Sequence, residues 1–461
     1  MKVPEHIFRE YDIRGIVGSD LNPEVTEAVG RAYGTVLRRS LSGIGEAEVT
    51  PVVAVGADNR PSSPELAEAL ISGLLFAGID VCGLGTVPTP VTYWAEKKLR
   101  TDGAIQITGS HNPPEWNGIK MTFRGRPYYG DNVASLRNRI LVEDFDNGSG
   151  EHKGIDVLDD YVEDVSGRFR LTRPIKVAVD CGNGTGSLVA ERLLQSVGGQ
   201  VVPIYCESDG TFPNHHPDPT VEENLVDLIR VVLDAGADLG IAFDGDADRI
   251  GVVDGQGRII RGDILLLLFG LDLLKSHGPN QLLIYDVKCS QVLPEVYEAA
   301  GGRTLMWKTG HSLIKEKMQE TGAPMGGELS GHLCFADDYI GSDDALYAAC
   351  RLITLVSGFD QSLADQTDSF PAYVSTPEIR IEVTEEIKGR VVDAAVEYFG
   401  SRNEVIRIDG ARILFEGGWA LIRASNTQPI LVARFEARTA ERLAEIRAEV
   451  ADWLKKQGIH V

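Results

Sequence analysis

Three aspartates alternate along one short stretch of the chain, Asp244, Asp246 and Asp248, between two apolar runs. Alternation in an extended segment offers three hard oxygen donors, the ligands that a divalent cation such as Mg²⁺ prefers. An EF-hand loop would need glycine at its sixth position and glutamate at its twelfth, but these places hold Arg249 and Gly255. The stretch therefore predicts a magnesium site in which phosphate oxygens complete the shell and Arg249 meets a phosphoryl group. The alternative is a solvated acidic turn.

Ser110 directly follows a predicted strand over residues 104–107, with Gly109 before it and Pro113 shortly after it. This placement can expose a hydroxyl group at the end of a strand. A serine needs a base or a metal ion in order to attack, whereas a phosphorylated serine can act as a phosphoryl donor. On these residues alone, a turn serine beside a proline break is the simpler interpretation.

Two more polar loops follow predicted strands. The segment 423–427 offers a guanidinium fork, hydroxyl groups and turn N–H groups that would hold a phosphate without reacting, and a polar hairpin turn is the alternative. Glu328 and Ser330 place a carboxylate and a hydroxyl where they could bind neighbouring sugar hydroxyl groups. His332 belongs either to that site or to a turn in which its hydrogen bonds are satisfied.

These loops need elements that bring them together, and a recurring strand pattern predicts such elements. Apolar runs that end at Asp58, Asp180 and Asp286 predict three strands, each followed by a helix, a second strand and a polar loop. Ser62 and Glu65 are typical of a side-chain cap at the start of the first of these helices. The acidic ends recur at comparable intervals, as tandem duplication with loop drift would give, and coincidence is the rival interpretation.

Alternating strands and helices predict α/β layers, in which ligands bind beyond the carboxyl ends of the strands. Residues 376–383 alternate as a half-exposed strand does and a charged helix follows, which predicts a smaller α+β domain. At 461 residues the chain is too long for one core. We therefore predict four domains around a central cleft, with three similar α/β mixed-sheet modules at 1–153, 154–257 and 258–370 and a C-terminal α+β domain at 371–461.

The overall charge narrows the class of partner. Lysine and arginine total 45 against 68 aspartate and glutamate, and this net charge of −23 repels nucleic acid and anionic membranes but leaves small anionic substrates open.

Six scattered cysteines without a Cys-x-x-Cys pair predict buried thiols rather than a zinc site or a disulfide framework. The longest apolar run, residues 264–271, is far shorter than the roughly 20 residues that span a membrane. We therefore expect a cytoplasmic protein.

The polar loops resemble, nearly letter for letter, the four signature segments of the bacterial phosphomannomutase/phosphoglucomutase branch of the α-D-phosphohexomutases. Residues 8–15, 286–288 and 308–311 match as well, so that seven ordered segments cover essentially the whole chain. One departure is Ala247, which stands where many relatives have glycine. The resemblance implies a phosphoserine at Ser110, a metal held by Ser110, Asp244, Asp246 and Asp248, sugar hydroxyls bound by Glu328 and Ser330, and a phosphate bound by Arg423, Ser425, Asn426 and Thr427. The other matching cleft positions are Tyr11, Arg14, His111, Lys120, Arg249, Lys288, His311 and His332.

The same resemblance implies an isomerase that interconverts hexose 1-phosphate and hexose 6-phosphate, of mannose or glucose, with Mg²⁺ and a hexose 1,6-bisphosphate intermediate. One fixed phosphate cannot reach both ends of a sugar ring, so the phosphoserine serves as a phosphoryl reservoir. Small-molecule sugar phosphates are the expected partners, without nucleic acid or membrane, and the expected assembly is a monomer or weak oligomer. Ser110, His111, Lys120 and Arg249 are the expected catalytic residues, with His111 and Lys120 as candidates for proton transfer.

Three other functions fit parts of the sequence. A phosphoglucosamine mutase has similar loops, but the opening segment and Leu329 lean away from it. A dinucleotide-binding protein would use the glycines of the segment 182–186, namely Gly182, Gly184 and Gly186. Their spacing is wrong, however, because Ser187 stands where the fingerprint requires its third glycine. An inactive scaffold would keep the fold, but every reactive position here is filled.

Overall fold

The computed structural model describes residues 3–42, 50–425 and 428–459, which form four β-sheets with covering helices. The elements of the first sheet and its helices are β1 (Ile13–Ile16), α1 (Pro23–Ser42), β2 (Val52–Ala57), α2 (Ser63–Phe76), β3 (Asp80–Thr86), α3 (Thr89–Leu99), β4 (Gly103–Ile107), β5 (Trp116–Phe123), β6 (Arg126–Pro127), α4 (Asp131–Leu141) and β7 (His152–Gly154). The strand order is β1-β5-β4-β2-β3-β7, and β6 pairs with β5.

Two shorter sheets follow along the chain. The second contains α5 (Leu158–Ser166), β8 (Lys176–Asp180), α6 (Ala190–Val197), β9 (Gln200–Ile204), α7 (Val226–Ala235), β10 (Leu239–Phe243), β11 (Ile250–Asp254) and β12 (Ile259–Ile260). The third contains α8 (Gly262–His277), β13 (Leu282–Asp286), α9 (Val292–Ala299), β14 (Arg303–Trp307), α10 (His311–Thr321), β15 (Met325–Gly327), β16 (Leu333–Phe335), α11 (Ala345–Ser357) and α12 (Leu363–Asp368). Their strand orders are β12-β11-β10-β8-β9 and β14-β13-β15-β16.

The fourth sheet is antiparallel throughout its described strands. Its elements are β17 (Val374–Ser375), β18 (Ile379–Glu382), α13 (Glu385–Gly400), β19 (Glu404–Ile406), β20 (Ala411–Phe415), β21 (Gly418–Ala424), β22 (Ile430–Ala437) and α14 (Ala440–Lys456). The long strand β22 pairs with β17, β18 and β21. Helices α13 and α14 bury apolar residues against this sheet, and the predicted α+β tail domain is confirmed.

The first three sheets share one topology. In each, a first strand (β2, β8 or β13) lies between two parallel neighbours, and one of these neighbours (β4, β10 or β15) pairs antiparallel with the next strand of the chain. The residues of β4 and β10 are buried throughout, which explains why they are apolar apart from Gln106, whose amide donates to the carbonyl oxygen of Val87. The prediction of three similar α/β modules is therefore confirmed, and the loops that follow β4, β10 and β15 occupy equivalent positions.

Several local expectations can be compared with the structure. The strands predicted to end at Asp58, Asp180 and Asp286 are present as β2, β8 and β13. The predicted side-chain cap of α2 is wrong, because Ser62 makes no capping hydrogen bond and its Oγ instead accepts one from Asn117 Nδ2 at 2.9 Å. Pro64 at the start of the helix has no N–H group, so one of the donors that a cap would satisfy is absent.

The predicted domain boundaries remain a prediction. The four sheets follow them with two differences, since β7 (His152–Gly154) pairs in parallel with β3 and β12 (Ile259–Ile260) pairs with β11. A boundary after residue 153 therefore divides β7, and a boundary after residue 257 separates β12 from its sheet. These short edge strands carry little sequence signal, which explains why a boundary drawn from motifs alone passes through them.

The hydrophobic cores show which modules are fused. One continuous core combines residues of all three α/β modules, including Trp94, Leu193, Phe243 and Phe335. The fourth sheet has its own core, and a small cluster of Val287, Trp419 and Leu421 joins it to the third module.

Two expectations about the whole chain can be assessed. Among the described helices, none is long and apolar enough to cross a membrane. All six cysteines are free thiols; Cys82 and Cys206 are partly exposed and the other four are buried. Cys181 and Cys206 lie side by side, with their Sγ atoms 3.1 Å apart, at the ends of the adjacent strands β8 and β9.

The crossing of α1 and α2 depends on two glycines. A Cβ atom on Gly73 would lie 2.1 Å from the Glu27 carbonyl oxygen, and one on Gly30 would lie 2.4 Å from that of Leu70. We expect Gly73→Ala to lower the free energy of unfolding by about 1–3 kcal/mol, because the two helix backbones must separate. Thermal unfolding followed by circular dichroism measures this change. Gly389→Ala is the matched control, since its Cβ would meet nothing within 4 Å in α13 and should stabilise by about 0.5–1 kcal/mol; equal effects of the two substitutions would contradict the packing argument.

Candidate active site

Ser110 lies in the loop between β4 and β5, at the carboxyl end of the first sheet. Its backbone has φ of 50°, a left-handed conformation that is uncommon for residues other than glycine. The hydroxyl group donates to Asp244 Oδ2 at 3.0 Å and lies 3.1 Å from His111 Nδ1. The structure thus brings the predicted nucleophile of the first module against the acidic loop of the second.

The acidic loop between β10 and β11 places Asp244, Asp246 and Asp248 side by side. All three are fully buried, and one carboxylate oxygen from each lies within 4.8 Å of the others. Lys120 on β5 donates to Asp246 at 2.7 Å and to Asp248 at 2.5 Å. Thr89, at the start of α3, donates its hydroxyl to Asp246 at 2.5 Å. Two residues of the first module therefore fix the carboxylates of the second.

The pKa values of these groups are shifted in different directions by burial and by neighbouring charges. Burial and the charges of Asp246 and Asp248 hold the pKa of Asp244 well above its usual value. Burial acts in the same direction on Asp246, but the adjacent Lys120 charge prevails and lowers the pKa of that carboxyl. The pKa of Lys120 is raised, because the three carboxylates outweigh its burial. The cluster is therefore short of positive charge, with Lys120 as a fixed ammonium.

The acidic loop fits a divalent cation. Asp246 Oδ1 and Asp248 Oδ1 are buried and have no hydrogen-bond partner among the described residues, although buried carboxylate oxygens normally have one. Hard oxygen donors in this arrangement suit Mg²⁺. Ala247 has φ of 60°, a conformation that glycine adopts more easily. The alanine leaves the three carboxylates in place.

The third module contributes the loop between β15 and β16. Glu328 is buried and accepts a hydrogen bond from Gly310 N at 2.6 Å, and burial raises the pKa of its carboxyl group. Ser330 is half-buried and lines the cleft. His332 accepts at Nε2 from Arg249 Nε at 3.0 Å, which assigns the proton of the neutral ring to Nδ1. The sugar-binding candidates thus lie directly beside the acidic loop.

A buried carboxylate orients both histidines of this module. Asp343 Oδ2 lies 2.9 Å from His311 Nδ1 and 3.1 Å from His332 Nδ1, and Lys315 donates to Oδ1 at 2.6 Å. The two imidazole rings stack with centroids 5.0 Å apart. Burial lowers the pKa of His311 to about 4, so this ring is neutral at pH 7. Asp248, His311, His332 and Asp343 also form a second buried group with the geometry of a metal site.

The fourth sheet contributes Arg423 at the end of β21. Arg423 Nε donates to Asp409 at 3.1 Å, and the same carboxylate oxygen accepts from Thr309 N of the third module at 3.1 Å. Ser425 is buried, and its carbonyl oxygen accepts from Lys388 Nζ at 2.7 Å. Asn426 and Thr427, predicted to complete this phosphate loop, lie outside the described residues.

The fourth sheet also shapes the loop that follows β13. Arg412, fully buried over the Trp419 ring, donates to the carbonyl oxygens of Val287 at 2.6 Å and Cys289 at 2.9 Å. Arg434 donates to the carbonyl oxygen of Lys288. Lys288 itself donates to Glu378 at 2.6 Å. Arginines of the fourth sheet therefore hold the backbone around this predicted substrate lysine, because they donate to its main-chain carbonyl oxygens.

One cleft of about 560 Å³ collects most of the predicted residues. Its lining includes Tyr11, Arg14, Ser110, His111, Lys120, Arg249, Lys288, His311, Glu328, Ser330 and His332. The three aspartates lie buried behind this lining. Arg423 and Ser425 are not among its lining residues, and Asp409 links Arg423 to Thr309 of that lining.

Sequence reasoning missed the residues that orient the site. Thr89, Asp343, Glu378 and Asp409 each hold a predicted site residue through a contact across modules or between loops. None stands at a spacing that has chemical meaning in the sequence. The glycine-rich segment weighed as a nucleotide fingerprint also has a structural role, because Thr185 N donates to the carbonyl oxygen of Gly245 in the acidic loop at 2.9 Å.

This combination of fold and site defines a class of enzyme. Three α/β modules and an antiparallel tail domain present a serine, an acidic metal-type loop and a Glu/Ser/His loop to one cleft. That arrangement is the one expected of an α-D-phosphohexomutase. Comparison with known proteins identifies the family.

The chain belongs to the phosphoglucomutase/phosphomannomutase family. It matches the family's alpha/beta/alpha domains I, II and III over residues 5–146, 159–257 and 261–373, and its C-terminal domain over residues 378–453. It is 45% identical over 455 residues to a phosphomannomutase/phosphoglucomutase of Pseudomonas aeruginosa, which covers 98% of this chain and 96% of the relative. A phosphoglucomutase of Neisseria gonorrhoeae is 41% identical, with 96% of each chain covered.

A solved structure supports the same assignment. A phosphoglucomutase/phosphomannomutase family protein of Burkholderia thailandensis superimposes with a TM-score of 0.90 at 41% identity, covering 99% of this chain and 98% of that one. The predicted family and four-domain fold are thereby confirmed. The names of these relatives favour a phosphomannomutase/phosphoglucomutase over the alternative of a phosphoglucosamine mutase.

The acidic loop predicts direct binding of Mg²⁺. We expect Asp248→Asn to weaken Mg²⁺ affinity by more than the roughly 10–100-fold that follows loss of an outer-shell partner, because it removes a charged donor. Isothermal titration calorimetry measures this affinity. Asp254→Asn is the control, since Asp254 is equally buried but accepts from Gln256 N and Arg258 outside the cluster. Equal affinity in wild type and Asp248→Asn would contradict the assignment.

Proposed function

We propose that the protein interconverts hexose 1-phosphate and hexose 6-phosphate through a phosphorylated Ser110 and a hexose 1,6-bisphosphate. The observation that carries this proposal is the position of Ser110 Oγ, which opens to the cleft and lies 3.0 Å from Asp244 Oδ2. Names of full-length relatives at 45% and 41% identity support mannose and glucose phosphates as substrates.

In the first half of the proposed cycle, the free hydroxyl oxygen of the sugar bonds to the phosphorus on Ser110. The bond from phosphorus to Oγ breaks, the sugar hydroxyl loses its proton and Oγ gains one. The bisphosphate then reverses its orientation in the cleft, and the phosphoryl group at the other end of the sugar is transferred to Ser110. The sum is an isomerisation that leaves the enzyme phosphorylated.

Phosphoryl transfer depends on in-line placement and on neutralisation of charge. We propose that Ser110, Asp244, Asp246 and Asp248 hold Mg²⁺, whose charge, when bound, stabilises the transferred group. Arg249 lines the cleft next to these carboxylates, and the charges of Asp218, Asp244, Asp248 and Glu328 outweigh its burial and raise the pKa of its guanidinium. It is placed to bind the phosphoryl oxygens in a fork.

The proton-transfer groups can be ranked by their contacts. Lys120 donates to two carboxylates that hold it as an ammonium, so its proposed role is electrostatic or that of an acid. Burial and nearby cations lower the pKa of His111 well below its usual value, which leaves a neutral ring 3.1 Å from Ser110 Oγ. His111 is therefore the better placed of the two for exchange of a proton with the serine.

In this proposal Glu328 and Ser330 bind the sugar. The phosphate that is not being transferred is bound by Arg423, Ser425, Asn426 and Thr427. Tyr11, Arg14, Lys288, His311 and His332 complete the proposed substrate contacts. A carboxylate binds two adjacent hydroxyl groups well, and O3 and O4 are the pair that both binding orientations can present. We also propose that the enzyme acts in the cytoplasm, as a monomer or weak oligomer, on small sugar phosphates alone.

Ser110→Ala tests the phosphoryl reservoir. Intact-protein mass spectrometry of wild type should show a fraction with one added phosphoryl group that is absent from Ser110→Ala. A coupled assay of glucose 1-phosphate conversion, primed with glucose 1,6-bisphosphate, should fall by at least on the order of 10⁴-fold, as loss of a nucleophile does elsewhere. Ser276→Ala on the exposed face of α8 is the control. A Ser110→Ala enzyme that isomerises at the wild-type rate would sink the proposal.

Recognition through O3 and O4 predicts dual specificity, because glucose and mannose differ only at C2. We expect mannose 1-phosphate and glucose 1-phosphate to turn over with kcat/KM values of the same order, and Glu328→Gln to lower both together. Negligible turnover of mannose 1-phosphate beside fast turnover of glucose 1-phosphate is the contrary outcome. Conversion of glucosamine 6-phosphate in the same assay separates this enzyme from a phosphoglucosamine mutase.

A further inference from the structure

Arg60 lies directly behind the serine loop, the segment between β4 and β5 that carries Ser110. It is not one of the predicted site residues. Its side chain is fully buried, and it follows β2 in the first module. An arginine is seldom buried so completely unless its charge and all its donors have partners. The contacts of its guanidinium group therefore indicate what it does.

All five N–H groups of Arg60 have acceptors. Nε donates to Asp58 Oδ2 at 3.0 Å. The two terminal nitrogens donate to four main-chain carbonyl oxygens of the serine loop, at 2.8 Å (Ser110), 2.7 Å (Asn112), 2.6 Å (Pro113) and 3.1 Å (Trp116). A planar fork of five donors matches this set, whereas the three donors of a lysine ammonium cannot.

Asp58 completes the clamp from the other side. Its Oδ2 also accepts from Gly109 N at 3.0 Å, and its Oδ1 accepts from Arg60 N at 3.0 Å and from the Ser63 hydroxyl. The amide before Ser110 and the carbonyl of Ser110 are thus both fixed by one ion pair. Gly109 itself has to be glycine, because a Cβ atom there would lie 2.5 Å from Arg60 Cζ.

The serine backbone requires such support. Ser110 has φ of 50°, a left-handed conformation that is unfavourable for a residue with a Cβ atom. Its carbonyl oxygen faces the acidic loop on the other side, where a Cβ atom on Gly245 would lie 2.4 Å from it. A small shift of this carbonyl would move the serine hydroxyl relative to Asp244.

We propose that Arg60, held by Asp58, is a positioning residue that fixes the left-handed serine loop so that Ser110 Oγ faces the acidic loop and the cleft. Arg60 is not among the residues that line the cleft, and its proposed action runs through the backbone of residues 109–116. The inference rests on the proposed function, because positioning matters only if Ser110 carries the phosphoryl group.

The second module reinforces the clamp. The Phe212 ring lies 5.0 Å from Arg60 Cζ, and Asn59 Nδ2 donates to the carbonyl oxygen of Asn183 at 2.7 Å and to Ser208 Oγ at 2.9 Å. The residues on both sides of the guanidinium therefore come from the first two modules. The clamp lies at the interface that brings the serine and the carboxylates together.

The test separates positioning from folding. Wild type, Arg60→Lys and Arg60→Met are phosphorylated with glucose 1,6-bisphosphate, and transfer from Ser110 to glucose 1-phosphate is followed in a single turnover by rapid quench. We expect the rate to fall on the order of 100-fold, as a displacement of about 1 Å of a reacting group causes, while the Kd of glucose 1-phosphate from calorimetry is unchanged. Asp58→Asn, a milder change to the same clamp, should give a smaller loss of rate with the same unchanged Kd.

Arg351→Lys is the matched control. Arg351 is also buried and donates to Asp337 at 2.9 Å, over the Phe335 ring, without contact to a cleft residue. Its transfer rate per folded molecule should equal that of wild type. Transfer at the wild-type rate in the Arg60 and Asp58 variants, or an equal loss in Arg351→Lys, overturns the inference. Absence of any transfer in wild type instead refutes the proposed function, so the two failures are distinguishable.

Discussion

Mutual repulsion among three buried carboxylates is the constraint on which the site depends. Asp244, Asp246 and Asp248 are fully buried with oxygens within 4.8 Å of each other, and Arg249 of the same module lies beside them. Compensation comes from Lys120 of the first module, which holds two of them. Because a buried charge without a partner destabilises a fold by several kcal/mol, the first two modules are joined by electrostatics as well as by their shared core.

The repeated topology explains why the reactive groups meet. In each α/β module the chemically important loop connects a parallel strand to its antiparallel successor, so the three loops occupy equivalent positions in their sheets. The acidic residue that ends the first strand of a module can brace the loop beside it. Asp58 accepts from Gly109 N at 3.0 Å, and Asp286 accepts from Leu329 N at 3.2 Å. One architectural position thus carries a hydroxyl, a carboxylate cluster and the proposed sugar-binding pair in turn.

Much of this arrangement can be predicted from the sequence, because apolar runs set the strands and short polar motifs mark their ends. The strands before Ser110 and Asp244 and the α+β tail follow directly from hydrophobic periodicity. Long-range partners do not, since Arg60, Asp343 and Asp409 act through contacts that local spacing does not encode. The failed prediction of a cap at Ser62 has the same cause, because a tertiary contact with Asn117 replaces the local hydrogen bond.

The contacts of Arg412 and Arg434 give the tail domain a part in building the third module. Their guanidinium groups supply the donors for the main chain at Val287, Lys288 and Cys289. A chain shortened to its three α/β modules would leave those carbonyl oxygens to water and expose the apolar patch at Val287. The backbone that carries Lys288 therefore depends on the tail domain both for its hydrogen-bond donors and for its cover.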